Sequence, residues 1–236
     1  LKGAYTQLMV NQKTKEILTV NTIKGTYRYK RLPFGVLPAA SIFQQAMDKI
    51  LGGLSNVQCY IDDVLIWGRN PTELYEKCLA VLRRLNEFNV KVNLEKCQWF
   101  VKQVKYLGHI ITADGIVPNY EKVKALVEAP VPKDVSKLKS FLGGVMFYAK
   151  FLPKLNEKLY PLYKLLKKDE KWFWSEECQK SFDECKKELC GKHILVHYDP
   201  SKPIVITCDA SDEGISGVLS HKIDGHERPV MFVSRT

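Results

Sequence analysis

Two aspartates, Asp62 and Asp63, stand side by side in "QCYIDDVLIWGRN", residues 58–70. Cys59, Tyr60 and Ile61 precede them, and Val64, Leu65, Ile66 and Trp67 follow, so two like charges interrupt an apolar run. Strand-like flanks place the acids at the tip of a hairpin. Asp-Asp suits a two-residue hairpin turn poorly, because such turns need positive φ and favour Asn-Gly or Asp-Gly. Adjacent carboxylates beside an apolar body repel, and one tends to keep its proton. A bound divalent cation removes both difficulties. Clustered carboxylates holding two ions about 3.5–4 Å apart are a phosphoryl-transfer arrangement. The plainer alternative is an acidic, solvated turn. A further carboxylate would be needed, and upstream the chain offers only Glu16, in a polar turn-like run, and Asp48, on a helix. Neither is a persuasive partner.

A second carboxylate, Asp209, ends the β-branched stretch "IVITCD" and precedes a glycine-containing turn. Locally it reads as an ordinary strand-ending residue. The cysteines number 7, an odd and scattered set, which fits reduced thiols better than a disulfide framework. Cys185, Cys190, His193 and His197 have a formal metal spacing, C-x4-C-x2-H-x3-H, but the central gap is too short for a zinc-finger loop. Cys178, Phe182, Cys185 and Leu189 share one helical face, which accounts for those cysteines as core.

The elements that must position these groups follow from periodicity. Residues 5–29 alternate loosely and predict two or three strands with a turn at Asn21–Gly25. "LPFGVLPAA" is a loop. "SIFQQAMDKIL" predicts a helix capped by Ser41, and residues 71–88 predict a strong amphipathic helix. "VKVNLEKCQWFVKQVKYLGHIIT" predicts two or three short strands, followed by a turn at Asp114-Gly115. Residues 119–170 read as lysine-rich helices divided by Pro130, Pro132, Pro153 and Pro161. Ser175 predicts another helix start, with Glu176 and Glu177 in its first turn and Lys186 and Lys187 near its end. The tail is β-rich, with a turn at Asp224-Gly225.

Length and charge bound the function. The chain has 236 residues and a formal net charge of +10, enough for a sizeable core and for attraction to polyanions. The lysines of residues 119–170 are either a solvated face or a wall for a phosphate backbone. No apolar run of 18 residues occurs and no signal peptide is visible, so no membrane partner is expected. The chain begins with Leu, which suggests a piece of something longer.

"YIDD" with its apolar flanks resembles the signature of reverse transcriptases. "RLPFGVLPAASIFQQAMDKIL" is similar to the loop and helix before it in that family. "CQWFVKQVKYLGHIITADGIVP" is similar to the segment after it, which carries the primer-gripping hairpin. The likeness is to gypsy-type LTR retrotransposon Pol polyproteins. It runs on through "WFWSEECQKSFDECKKEL" and "HYDPSKPIVITCDASDEGISGVLSH", which resemble the connection and the start of RNase H. Essentially the whole chain is covered, by several motifs in register.

The resemblance implies an α+β fold: a partial right-hand polymerase palm over 1–113, a helical thumb and connection over 114–170, and the first β-strands of an RNase H-like domain over 171–236. It implies an RNA-directed DNA polymerase, with RNase H activity in the full-length protein. Mg²⁺ or Mn²⁺ would be the cofactor. The partners would be an RNA/DNA template–primer hybrid, dNTPs and the rest of the polyprotein, its protease and integrase. The place of action would be intracellular, in cytoplasmic virus-like particles or the nucleus.

Residue by residue, Asp62 would bind metal, Asp63 would support the metals and the primer end, and the Leu1 carbonyl would sit beside the second metal. Gly3 and Ala4 would turn their amides to the triphosphate. Tyr5 would lie under the sugar and reject a 2′-hydroxyl, unless it is an ordinary strand aromatic. Phe34 and Gly35 would line the nucleotide pocket, supported by Gln44. Lys96 would lie near the triphosphate or be a surface lysine. Leu107, Gly108 and His109 would hold the primer, with a purely structural His109 as the alternative. Asp209 would be the first RNase H metal ligand. Asp212, Glu213, Asp224 and Glu227 lie in turns and do not fit that domain's other acidic roles.

In the family the third polymerase carboxylate precedes "L-x-x-A-Y", here "LKGAY" at residues 1–5, so it would lie just before Leu1. The fragment alone is then expected to be inactive or nearly so. One departure is Ala39-Ala40 where the family has Ala-Pro, with proline instead at 38, which puts fine nucleotide positioning in doubt. Two other functions stay open: a non-catalytic hybrid-binding module derived from the element, and a nuclease that uses the polymerase part as a clamp.

Overall fold

The computed structural model describes every residue except 169, 192, 193, 213 and 236. The chain forms two compact units, Leu1–Val101 and Lys102–Thr236.

In the first unit a short 3-10 turn, Ala4–Gln7, leads to helix α1 (Gln12–Ile17) and the hairpin β1 (Thr19–Thr22)–β2 (Gly25–Arg28). The alternation of residues 5–17 predicted strand, and the structure corrects this. Asn11 caps α1 through its side chain, which accepts from the Thr14 amide at 2.8 Å. That local bond favours the helix over extended chain. Helix α2 (Ala39–Leu51) starts two residues before the expected Ser41 cap, because Ser41 Oγ donates to the Pro38 carbonyl from inside the first turn. Strands β3 (Val57–Tyr60) and β4 (Asp63–Ile66) form an antiparallel hairpin. Helix α3 (Pro71–Glu87) is started by Asn70, which accepts from the Glu73 amide, with proline at the first position. Phe43, Met47, Ile50 and Leu51 of α2, Cys59 of β3, and Val81 and Leu85 of α3 make the core that holds the β3–β4 hairpin in place. Of the stretch 90–112, where two or three strands were expected, residues 91–102 carry only a 3-10 turn, Leu94–Lys96, and the two strands present are Gln103–Tyr106 and His109–Thr112.

The second unit opens with a three-stranded meander, β5 (Gln103–Tyr106), β6 (His109–Thr112) and β7 (Ile116–Pro118). Helices α4 (Tyr120–Val127), α5 (Val135–Phe147), α6 (Leu155–Lys164) and α7 (Glu176–Leu189) follow. Pro130 and Pro132 separate α4 from α5, and Pro153 precedes α6. Pro161 lies inside α6 and does not divide it. Leu138, Val145, Phe151, Leu159, Leu162, Phe182 and Cys185 form the core here. Ile116 and Leu195 exchange backbone hydrogen bonds of 2.8 and 3.0 Å, tying β7 to the chain beyond α7. Strands β8 (Ile204–Ser211), β9 (Gly214–Ile223) and β10 (His226–Arg235) form an antiparallel sheet in the order β10-β9-β8. Its tight turn at Asp224-Gly225 has positive φ at both residues, the type I′ pattern that Asp-Gly favours.

Candidate nucleotidyl-transfer site

Tyr60 pairs with Asp63 across the β3–β4 hairpin, so Ile61 and Asp62 are its two turn residues. Positive φ falls on Ile61, at 54°. Hairpins of this kind usually place glycine there, and a β-branched residue pays a steric cost of order 1–2 kcal/mol. The turn is held by its neighbours. Gln44, on α2, accepts from the Ile61 amide at 2.6 Å and donates to the Cys59 carbonyl at 3.1 Å and to Asp48 at 2.8 Å. The Cys59 thiol donates to the Ile61 carbonyl at 3.4 Å. Burial, with the charge of Asp48 second, pushes that thiol up to about 11, so it stays protonated as a donor.

Both carboxylates are exposed and make no hydrogen bond or ion pair with another described residue. Two bare oxygen-donor groups on adjacent residues fit a hard divalent cation. The Leu1 nitrogen donates to the Asp62 carbonyl at 2.5 Å. A residue joined at that nitrogen is thereby placed beside the carboxylate turn. Among the described residues no cluster of three or more His, Cys, Asp or Glu side chains is gathered in metal-binding distance.

Gly3 and Ala4 both have positive φ, 72° and 32°. At Gly3 a Cβ would approach Thr6 Oγ1 to 2.8 Å, so the site admits only glycine without rearrangement. The Tyr5 ring packs between Phe34, at 5.4 Å, and Phe43, at 5.8 Å. Gly35 has φ of 86° with open space around it, so it serves the backbone alone. The structure thus gathers Leu1, Gln44 and Asp62 at one turn, and Tyr5 with Phe34 in one aromatic group. Lys96 is exposed on its 3-10 turn and makes no hydrogen bond or ion pair to these residues.

In the second unit Leu107 and Gly108, both with positive φ, form the turn between β5 and β6. His109 stacks on Phe147 of α5, with centroids 5.2 Å apart and planes 13° from parallel, and its Nδ1 is buried without a partner. Desolvation, reinforced by Lys150 and Lys122, lowers its pKa to about 4. Asp209 lies inside β8, which continues through Ser211, and so does not end the strand as expected. Its carboxylate is ion-paired with Lys154, which holds it below the usual carboxylate range.

Comparison with known proteins decides the family. Residues 1–111 match "Reverse transcriptase (RNA-dependent DNA polymerase)" and residues 174–236 match "RNase H-like domain found in reverse transcriptase". The retrovirus-related Pol polyprotein from transposon 412 of Drosophila melanogaster is 31% identical over 100% of this chain and 19% of its own length. The transposon Tf2-3 polyprotein of Schizosaccharomyces pombe is 34% identical over 95% of this chain and 17% of its own. The chain carries a reverse-transcriptase domain and an RNase H-like domain, and is similar to retrotransposon Pol polyproteins. It spans less than a fifth of the length of these relatives. A foamy viral protease–reverse transcriptase solved with double-stranded DNA has the same fold, with a TM-score of 0.90 at 22% identity over 100% of this chain and 42% of that one. Another, solved with an RNA/DNA hybrid, superposes with a TM-score of 0.83 at 22% identity, over 100% of this chain and 32% of that one.

Several participants in the candidate site escaped the sequence reading. Asp48 orients the Gln44 amide, a role signalled only by their i,i+4 spacing on one helix. Phe147 and Lys154 touch predicted site residues across long stretches of chain, with no local signal. Of the formal zinc set, Cys185 is buried in the α6–α7 core, and His193 lies outside the described residues, as does Glu213. Among the described residues no helix is long and apolar enough to cross a membrane.

Proposed function

We propose that this chain contributes the palm, thumb and nascent RNase H parts of an RNA-directed DNA polymerase. The observation that carries the reading is the Ile61–Asp62 turn: two bare, adjacent carboxylates, with the Leu1 nitrogen on the Asp62 backbone carbonyl, in a region that matches the reverse-transcriptase family. Residues 1–113 act as palm, 114–170 as thumb and connection, and 171–236 as the RNase H-like part. Asp62 and Asp63 would hold Mg²⁺ or Mn²⁺, with the Leu1 carbonyl as a further oxygen donor. When bound, the ions lower the cost of ionising the primer 3′-hydroxyl and of releasing pyrophosphate.

The chain's own residues do the positioning. Gly3 and Ala4 present backbone amides to the triphosphate. Tyr5, held by ring contacts with Phe34 and Phe43, acts as the gate that rejects a ribose 2′-hydroxyl. Gly35 lets the loop pass close to the nucleotide, and Lys96 adds positive charge near the phosphates. Leu107, Gly108 and His109 seat the primer strand. Asp209 is the first ligand of the RNase H site and would exchange Lys154 for a metal. The net charge of +10 grips the backbone of an RNA/DNA hybrid with little sequence preference. Protease and integrase are the expected neighbours in the polyprotein, and the work is intracellular, in virus-like particles or the nucleus.

The test is primer extension on an RNA template with Mg²⁺ and dNTPs. It uses this chain and a form carrying the residues that naturally adjoin Leu1, each with and without Asp62→Asn. Extension abolished by Asp62→Asn supports the reading. Hybrid binding with no extension from either form overturns it in favour of a non-catalytic binding module.

A further inference from the structure

We infer that Gln44 and Asp48 form a side-chain clamp that sets the conformation of the turn carrying Asp62, with Gln44 as a positioning residue that does not itself bind nucleotide. The inference deepens the polymerase reading and rests on it only for the consequence at the metal.

The turn needs such a device. Ile61 is β-branched and has φ of 54°, a conformation it does not prefer. In the hairpin ladder the pair Tyr60 and Asp63 closes the turn, so the Ile61 amide lies outside the ladder. Gln44 supplies its acceptor at 2.6 Å. The same side chain donates to the Cys59 carbonyl on the strand entering the turn, at 3.1 Å. One amide group thus links the strand entering the turn, at Cys59, to the first residue in the turn.

An amide can present either end. Asp48 settles which one, because its carboxylate accepts only from the NH₂ end, at 2.8 Å. With that end engaged by Asp48 and Cys59, the oxygen is left facing the Ile61 amide. Both residues sit one helical turn apart on α2, whose Phe43 and Met47 are buried in the unit's core. The clamp is therefore mounted on a rigid element. Its hydrogen bonds occupy the polar atoms that a nucleotide contact would need.

The experiment is amide hydrogen exchange by NMR on the intact chain, with Mn²⁺ broadening of Asp62 and Asp63 resonances as a second reading. In the natural chain the Ile61 amide is expected to exchange slowly. Gln44→Met should speed its exchange at least about tenfold, and Asp48→Ala several-fold, with the ladder amides of β3 and β4 still protected as proof of folding. Ile61→Gly makes positive φ easy. On the Gln44→Met background it should restore the Mn²⁺ midpoint, which Gln44→Met alone raises. Unchanged Ile61 exchange in Gln44→Met overturns the clamp. A Mn²⁺ midpoint that Gln44→Met leaves untouched, with Ile61 exchange quickened, overturns the clamp's consequence at the metal. Loss of Ile61 protection in a chain whose natural form shows no Mn²⁺ broadening supports the clamp and overturns the metal reading of Asp62 and Asp63.

Discussion

The Phe147 ring fills the space that a side chain on Gly108 would need. A Cβ built there would lie 2.8 Å from two ring carbons, and Gly108 also has φ of 79°. Gly108→Ala therefore meets a steric backbone cost and a clash together, at least about 2 kcal/mol. Urea unfolding should show that loss. Phe147→Ala removes the clash, so the double variant should lose less than the two single losses combined. Strict additivity would refute the contact.

His109 predicts an acid-sensitive fold. Unfolded, it takes up its proton near pH ~6.5; folded, desolvated and facing Lys150 and Lys122, it does so only at about 4. Between those values the unfolded chain binds more protons, so stability falls as pH drops. It is fully present above ~6.5. Urea midpoints at pH 7 and 4.5 measure the fall. His109→Phe keeps the stacked ring and should flatten it.

Thiol chemistry should sort by burial. Cys185 and Cys59 are pushed up to about 12 and about 11, chiefly by desolvation, so little thiolate forms at neutral pH. Cys190 and Cys208 are exposed. Alkylation with mass spectrometry should label Cys190 and Cys208 in the folded chain, and Cys185 and Cys59 only in denaturant. Early labelling of Cys185 would contradict its place in the core.

The ion pair of Lys154 with Asp209 should behave as an exposed pair. Both side chains are open to solvent, so screening limits its effect on stability. Lys154→Met should nevertheless raise the Asp209 carboxyl pKa, read by NMR titration, since the lysine hydrogen bond is the main force holding it down. The linkage acts at the acid end: the pair's contribution is present above the usual carboxylate range and lost as pH falls from there through the lower folded value. The same variant should sharpen Mn²⁺ broadening at Asp209 if that residue is a metal ligand. An unmoved pKa would show that the pair does not form in solution.

What could be read in the sequence was local or periodic. Ser175 and Asp224-Gly225 carry their own capping or turn chemistry, and each structured its element as expected. The helical face of Cys178, Phe182, Cys185 and Leu189 was visible from spacing, and all four are buried. Residues 12–17 misled because alternation and a capped helix compete in a short polar stretch, and the Asn11 cap prevailed. Pro161 misled because a proline tolerated inside a packed helix looks, in sequence, like one that ends it. At the candidate site the aspartates were plain. The strain at Ile61 was not, since nothing in a residue's type shows that a side chain from another helix will hold its backbone.

The exchange of hydrogen bonds between Ile116 and Leu195 has a kinetic consequence. The chain between them contains α4 to α7, which pack on one another in a shared core, so those helices can gather before the ends meet. Joining the ends of a long unstructured loop carries an entropic cost that prior helix packing reduces. We therefore expect this joint to close late, after the rate-limiting barrier. Leu195→Ala should then quicken unfolding and leave the refolding rate unchanged; slowed refolding would place the joint in the nucleus instead. Gly115 guards the same joint, since a Cβ there would come within 2.2 Å of the Leu195 oxygen. One added methyl group could unlatch the segment after α7 while both flanking elements stay intact.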